Sequence, residues 1–166
     1  MGVPVSGAML IKFDLSSLTD AADIRRALVK FYVWDPGDKT DMRVWGFPLT
    51  TAWDESSVTL TQPAEGRTWS GEYFQPGADA GQPVAETIFN HDFSSDNHLN
   101  PPDEYVFDIT SLVRDWVQGK MPNHGLALAP VNDWSIDRRI SERYRLYASE
   151  QGGKYTPRLE VELAED

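Results

Sequence analysis

The stretch Y-V-F-D-I-T-S-L-V-R-D-W-V-Q-G-K-M-P-N-H-G-L-A-L, Tyr105 to Leu128, compresses a strand, a helix, a stop and a second strand into 24 residues. It opens on an alternating strand and passes into a short amphipathic helix. Asp108 or Thr110 can cap that helix, because a short oxygen-bearing side chain accepts from N–H groups that the first turn leaves unpaired. Leu112, Val113 and Trp116 recur at helical spacing as its buried stripe, and Gly119 accepts the left-handed exit. The helix is expected over Thr110 to Gln118. The stretch is architectural and holds no catalytic side chain.

Outward from it, period-2 alternation marks further strands. Ile11, Phe13 and Leu15 face one way, Lys12 and Asp14 the other. In Ile24 to Trp34, Ala27, Val29, Phe31 and Val33 share one face, and Leu28, Lys30, Tyr32 and Trp34 the other; apolar bulk on both faces indicates a central strand. The run D-P-G-D-K-T-D, Asp35 to Asp41, is a turn, since Pro fixes φ and Gly accepts positive φ. Short strands are expected near Met42 to Phe47, Val84 to Phe89, Glu104 to Ile109, Gly125 to Ala129, Arg143 to Ser149 and Arg158 to Leu163. Many short strands between Gly/Pro turns, with one short helix, specify an all-β fold, a β-sandwich with jelly-roll-like topology.

Two long irregular stretches interrupt the strands: Gln62 to Pro83 and Asn90 to Asp103. Loops of that length in a compact domain are functional or disordered as a rule. The first carries Trp69, Tyr73 and Phe74, too aromatic for a disordered linker, and is expected to lie folded on the sandwich.

At 166 residues the chain has the size of one domain, 1–166, with enough length for a core without staples. It has no cysteine, which excludes disulfides and thiolate metal sites. No apolar run approaches the roughly 20 residues of a membrane span, and Met1 to Ala8 lacks the charged and apolar regions of a signal peptide. The net charge of −11, from 26 acidic and 15 basic residues, sets nucleic acid and anionic membranes aside as partners. Nucleophile elbows, phosphate loops and dinucleotide fingerprints are absent.

The opening stretch resembles the DNRLRE family, domains attached to secreted polysaccharide-degrading enzymes and microbial surface proteins. Other segments match in order. L-I-K-F-D-L-S-S-L at Leu10 to Leu18 is similar to the family's opening strand, and I-R-R-A-L-V-K-F-Y-V-W at Ile24 to Trp34 to the next. A-W-D-E-S-S-V-T-L at Ala52 to Leu60 resembles the W-x-E-x-x-V-T-W element, and R-L-Y-A-S-E at Arg145 to Glu150, followed by P-R-L-E-V from Pro157, resembles the close. Three features depart from the pattern. The family's first strand, with an N-Y-G-like turn, has no counterpart before Leu10, Leu60 stands where the family often has Trp, and Asn90 to Asn100 is an insertion. The resemblance implies an extracellular or cell-surface location and membership of a larger multidomain protein.

It also implies polysaccharide as the partner. An aromatic face stacks on the C–H side of a pyranose, and Arg offers a rigid fork to carboxylate or sulfate. P-V-N-D-W-S-I-D-R-R-I-S-E-R-Y-R, Pro130 to Arg145, holds the densest supply of both. Trp134, Arg138, Arg139, Arg143 and Arg145 are therefore candidate ligand-binding residues, joined by Trp69 and Tyr73. The competing reading makes Trp134 a core cap, pairs the arginines with Asp133, Asp137 and Glu142, and places the loop aromatics in the core.

No cofactor is required. A structural calcium would need six to eight oxygens, for which Asp92, Asp96, Asn97 and Asp103, or Asp35, Asp38 and Asp41, are the candidates. His91, His98 and His124 lack the spacing of a zinc site. The sequence points to a non-catalytic carbohydrate-binding module, not an enzyme, delivering a secreted or surface protein to polysaccharide, with alginate-like polyuronates as one ligand class the resemblance implies. The alternatives are a structural or adhesive surface module and a small polysaccharide lyase or hydrolase.

Overall fold

The computed structural model describes residues 8–36, 41–71, 74–75, 77–90, 101–130, 144–149 and 152–164. Among these residues, eight strands and one helix follow in the order β1 (Met9–Ile11), β2 (Ile24–Asp35), β3 (Met42–Pro48), β4 (Ala85–Phe89), β5 (Asp103–Asp108), α1 (Thr110–Val117), β6 (Leu126–Pro130), β7 (Arg145–Leu146) and β8 (Arg158–Leu163). The strands form two four-stranded antiparallel sheets. One runs β1-β6-β3-β4, and the other is built on β2, with β5, β7 and β8 as its partners. Two antiparallel sheets with a single short helix are consistent with an all-β sandwich, the class expected from the alternation.

The 12-residue β2 is the spine of the second sheet. Leu28–Val33 pair with β5 while Ile24–Lys30 pair with β8, so these two strands lie on opposite edges. Val33 and Asp35 pair with β7, which takes over from β8 further along the same edge, across a register shift in β2. The two faces expected from the sequence separate as alternation requires. Ala27, Val29, Phe31 and Val33 are each 0% exposed, and Phe31 meets Phe107 edge-on at 5.9 Å between ring centres.

The chain groups into two compact units, each discontinuous in sequence: Met1–Ala21, Trp45–Ala85 and Ser111–Pro130 in the first, Ala22–Val44, Glu86–Thr110 and Val131–Asp166 in the second. Phe47, Leu49, Trp69, Phe74, Leu126 and Leu128 are buried in the first, with the expected helix stripe of Leu112, Val113 and Trp116. Helix α1 ends as anticipated on Gly119 at φ 67°. The Lys120 N–H returns to the Asp115 carbonyl at 3.0 Å and the Gly119 N–H to that of Trp116 at 3.0 Å, a Schellman closure. At the other end, of the two cap candidates it is Asp108 that bonds an N–H of the first turn, while Thr110 ties the helix start to β2. Asp108 accepts from the Thr110 N–H and hydroxyl at 3.0 and 2.6 Å, and the Thr110 oxygen accepts from the Ala27 N–H on β2.

Gly125 opens β6 at φ 90°, where a Cβ would lie 2.3 Å from the Ile11 carbonyl oxygen. Only glycine lets the backbone of β1 approach that closely. Two strands are shorter than expected. The first ends at Ile11 rather than Leu18, because Asp14 turns its carboxylate onto the Ser16 N–H and the Leu18 N–H bonds Leu15, which directs the chain into a turn. Strand β7 holds two residues, extended by a Tyr147 N–H bond to the Tyr32 carbonyl at 3.0 Å.

Candidate functional site

In an antiparallel pair, partners point to the same side of the sheet. On the second sheet this sets the even-numbered residues of β2 among side chains from both edges: Leu28 beside Asp108 and Glu160, Lys30 beside Val106 and Arg158, Tyr32 beside Glu104. The result is a closed ring of charges. Lys30 Nζ reaches Glu160 at 2.8 Å and Glu104 at 3.6 Å; Arg158 reaches the same two carboxylates at 2.8 and 3.6 Å. The Tyr32 hydroxyl donates to Glu104 at 2.6 Å.

Titration follows these contacts. The hydrogen bonds from Lys30 and Arg158 hold the Glu160 carboxyl below its usual value, and Glu160 in turn raises both Lys30 and Arg158. Burial, reinforced by the bond to Glu104, pushes the Tyr32 phenol up, so it stays protonated and serves as a donor. A phenol in that state is unsuited to act as a general base.

A row of rings continues from Tyr32 along the same face. Tyr32 lies 5.3 Å from Tyr155, Tyr155 5.3 Å from Tyr147, and Tyr147 6.5 Å from Trp34, all at tilted angles. Three of these rings carry a cation: Arg158 over Tyr32 at 5.3 Å, Lys154 over Tyr155 at 4.7 Å and Arg145 over Trp34 at 5.5 Å. Arg145 also pairs with Asp35 at 3.2 Å. Tyr32 is buried, while Trp34, Tyr147 and Tyr155 are partly exposed. Flat apolar surface, N–H donors and carboxylate acceptors therefore alternate within one patch of one unit, a combination suited to holding a polyhydroxylated ligand.

Of the residues expected to bind ligand, Arg145 lies on this face. Trp134, Arg138, Arg139, Arg143 and Tyr73 lie outside the described residues. Trp69 is corrected: at 3% exposure it is a core residue, packed edge-on against Phe74 at 5.3 Å, with its indole N–H donated to the Thr59 carbonyl at 3.0 Å. It has no open face for a ligand.

The loop that carries Trp69 is organised around Asp79, which is 0% exposed. One carboxylate oxygen accepts from the Ser70 N–H and hydroxyl at 2.9 and 2.6 Å, the other from the Gln75 N–H at 3.0 Å. These bonds satisfy a charge that burial would otherwise make costly, so Asp79 is a structural anchor. No group of three or more His, Asp or Glu among the described residues is arranged to hold a metal ion. Of the calcium candidates, Asp35 pairs with Arg145 and Asp103 opens β5, while Asp38, Asp92, Asp96 and Asn97 lie outside the described residues. His124 is part-buried; burial, with Lys12 nearby, lowers its pKa below 6.5.

Sequence reading missed Trp34, Lys154, Tyr155 and Arg158 as a group. The alternation in β2 does put Lys30, Tyr32 and Trp34 on one face. Nothing local links them to Tyr155, which sits in the G-G-K-Y-T-P turn. No family model matches the chain, and no curated protein matches it.

Proposed function

We propose that this chain is a non-catalytic carbohydrate-binding module of an extracellular or cell-surface protein, using the even-numbered face of the β2 sheet. The observation that carries the reading is the row Trp34, Tyr147, Tyr155 and Tyr32, interleaved with Arg145, Lys154 and Arg158. Aromatic surface with directional donors beside it is the chemistry that sugar binding needs, and attachment to a polymer raises the local concentration of whatever the module is joined to. Trp134, Arg138, Arg139 and Arg143 precede Arg145 closely in the chain, and this reading keeps them as further ligand contacts. The resemblance of the motifs to DNRLRE domains supports it.

A second reading, a structural or adhesive module without a sugar site, draws support from one observation. Arg145 and Arg158 are already paired with Asp35, Glu104 and Glu160, as cations that only brace a surface would be. Affinity electrophoresis on neutral, uronate and sulfated polysaccharides, with calcium and again with chelator, separates the two. Selective retardation that Tyr155→Ala or Arg145→Ala weakens is the expected result. No retardation across the panel would leave the structural reading.

A further inference from the structure

Resting on the carbohydrate-binding reading, we propose that this face takes an uncharged glycan and that the Tyr147 ring is the surface on which a pyranose stacks. The charge arrangement argues for the ligand class. Lys30, Arg145 and Arg158 each already hold a carboxylate of the chain, at 2.8 Å (Lys30 to Glu160), 3.2 Å (Arg145 to Asp35) and 2.8 Å (Arg158 to Glu160). A uronate or sulfate arriving there would either exchange one ion pair for another or sit beside a tethered carboxylate of like charge. Lys154 is the one cation of the face with no ion pair among the described residues, and it is engaged with Tyr155. The chain as a whole carries a net charge of −11, which opposes the approach of a polyanion.

Sugar hydroxyls meet no such obstacle. A carboxylate has about four acceptor positions and a guanidinium five N–H donors, so a paired Arg145–Asp35 or Arg158–Glu160 still has bonding positions left for a group that both donates and accepts. An uncharged ligand gains these bonds without breaking a pair.

The rings assign the stacking position. Trp34, Tyr155 and Tyr32 each have a cation over the ring, whereas among the described residues Tyr147 has none. Tyr147 lies between two of the covered rings, 6.5 Å from Trp34 and 5.3 Å from Tyr155, and its backbone is held by the bond to the Tyr32 carbonyl. A pyranose on that ring has the Arg145 donors on one side and the Lys154 ammonium on the other.

The test measures retardation of the whole chain by neutral polysaccharides (a β-glucan, a mannan, a xylan) and by a polyuronate and a sulfated glycan. Each is run at about 0.1 M and about 1 M NaCl, between which the Debye length falls from about 10 Å to about 3 Å. The expected result is retardation by a neutral polymer that salt leaves unchanged, is weakened about tenfold in Tyr147→Ala and is retained in Tyr147→Phe. If Tyr147→Ala lowers the melting midpoint, Tyr147→Leu takes its place, keeping apolar volume while removing the flat ring. Salt-sensitive binding to the acidic polymers alone would overturn this inference and leave the carbohydrate reading standing. Neutral binding indifferent to both ring-removing variants would overturn the assignment of Tyr147. Absence of binding to every polymer would remove both the inference and the reading it rests on.

Discussion

The loop around Asp79 and the face around Tyr32 are made from the same materials, aromatic rings and charged groups, used in opposite ways. In the loop the carboxylate is sealed from water, and among the described residues it accepts from backbone N–H groups and from the Ser70 and Thr51 hydroxyls. On the face, Glu104, Glu160 and Asp35 bond other charged side chains in partial contact with water. A buried carboxylate cannot tolerate loss of its donors, so it gives a long irregular segment one conformation. A hydrated network tolerates rearrangement, which is what a surface exchanging water for ligand requires.

The largest effects lie in the loop's rings. Trp69→Ala should cost about 3 to 5 kcal/mol in urea unfolding, the range for emptying a buried indole site. A cost below about 1 kcal/mol would mean the loop is not part of the core. Next in size, Asp79→Ala should destabilise by about 3 kcal/mol, because it strands the Ser70 and Gln75 N–H groups, with Asp79→Asn less severe. On the face, Tyr147→Ala should cost about 1 kcal/mol or less while abolishing most ligand retardation. That split between stability and binding is the signature distinguishing the two regions.

Smaller effects depend on pH. In the first unit the pKa of His124 is depressed, so its stabilising contribution is present above pH 6.5 and declines as the pH falls from there, where the unfolded chain takes up the proton first. In the second unit Glu160 and Asp108 are depressed, Asp108 by its Thr110 bonds, and their contributions are present above about pH 4.5 and lost as the pH falls through their folded values. Thermal melts between pH 7 and pH 3 should therefore show a shallow decline beginning near 6.5, absent in His124→Gln, and a second below 4.5, reduced in Glu160→Gln. At neutral pH, Glu160→Gln itself should lower the midpoint only by the small amount by which it reduces that acid decline, as expected of a hydrated pair.

Much of the architecture was legible because local chemistry repeats there. The β2 alternation separated the buried face from the Lys30, Tyr32 and Trp34 face residue by residue, the helix stripe emerged from spacing alone, and Gly119 stopped the helix where a left-handed residue was needed. The early end of β1 was not legible, since it depends on Asp14 turning onto Ser16 instead of continuing an alternation that reads well through Leu15. Which of its two readings holds for Trp69 was not legible for a related reason. An aromatic residue in a polar loop has the composition of an exposed platform, and only Thr59 and Phe74 closing over it make it core.

Nearest neighbours along the chain fix which segments carry strands, which face of β2 is apolar, where the helix starts and stops, and the excess of negative charge. Which strands flank β2 is settled only in three dimensions. That choice brings Glu104, Arg145, Tyr147, Tyr155 and Arg158, scattered over more than fifty positions, around Tyr32 and Trp34. Periodicity is a property of consecutive residues. The pairing of strands distant in sequence is settled by mutual burial and register, and the candidate site is a product of that pairing.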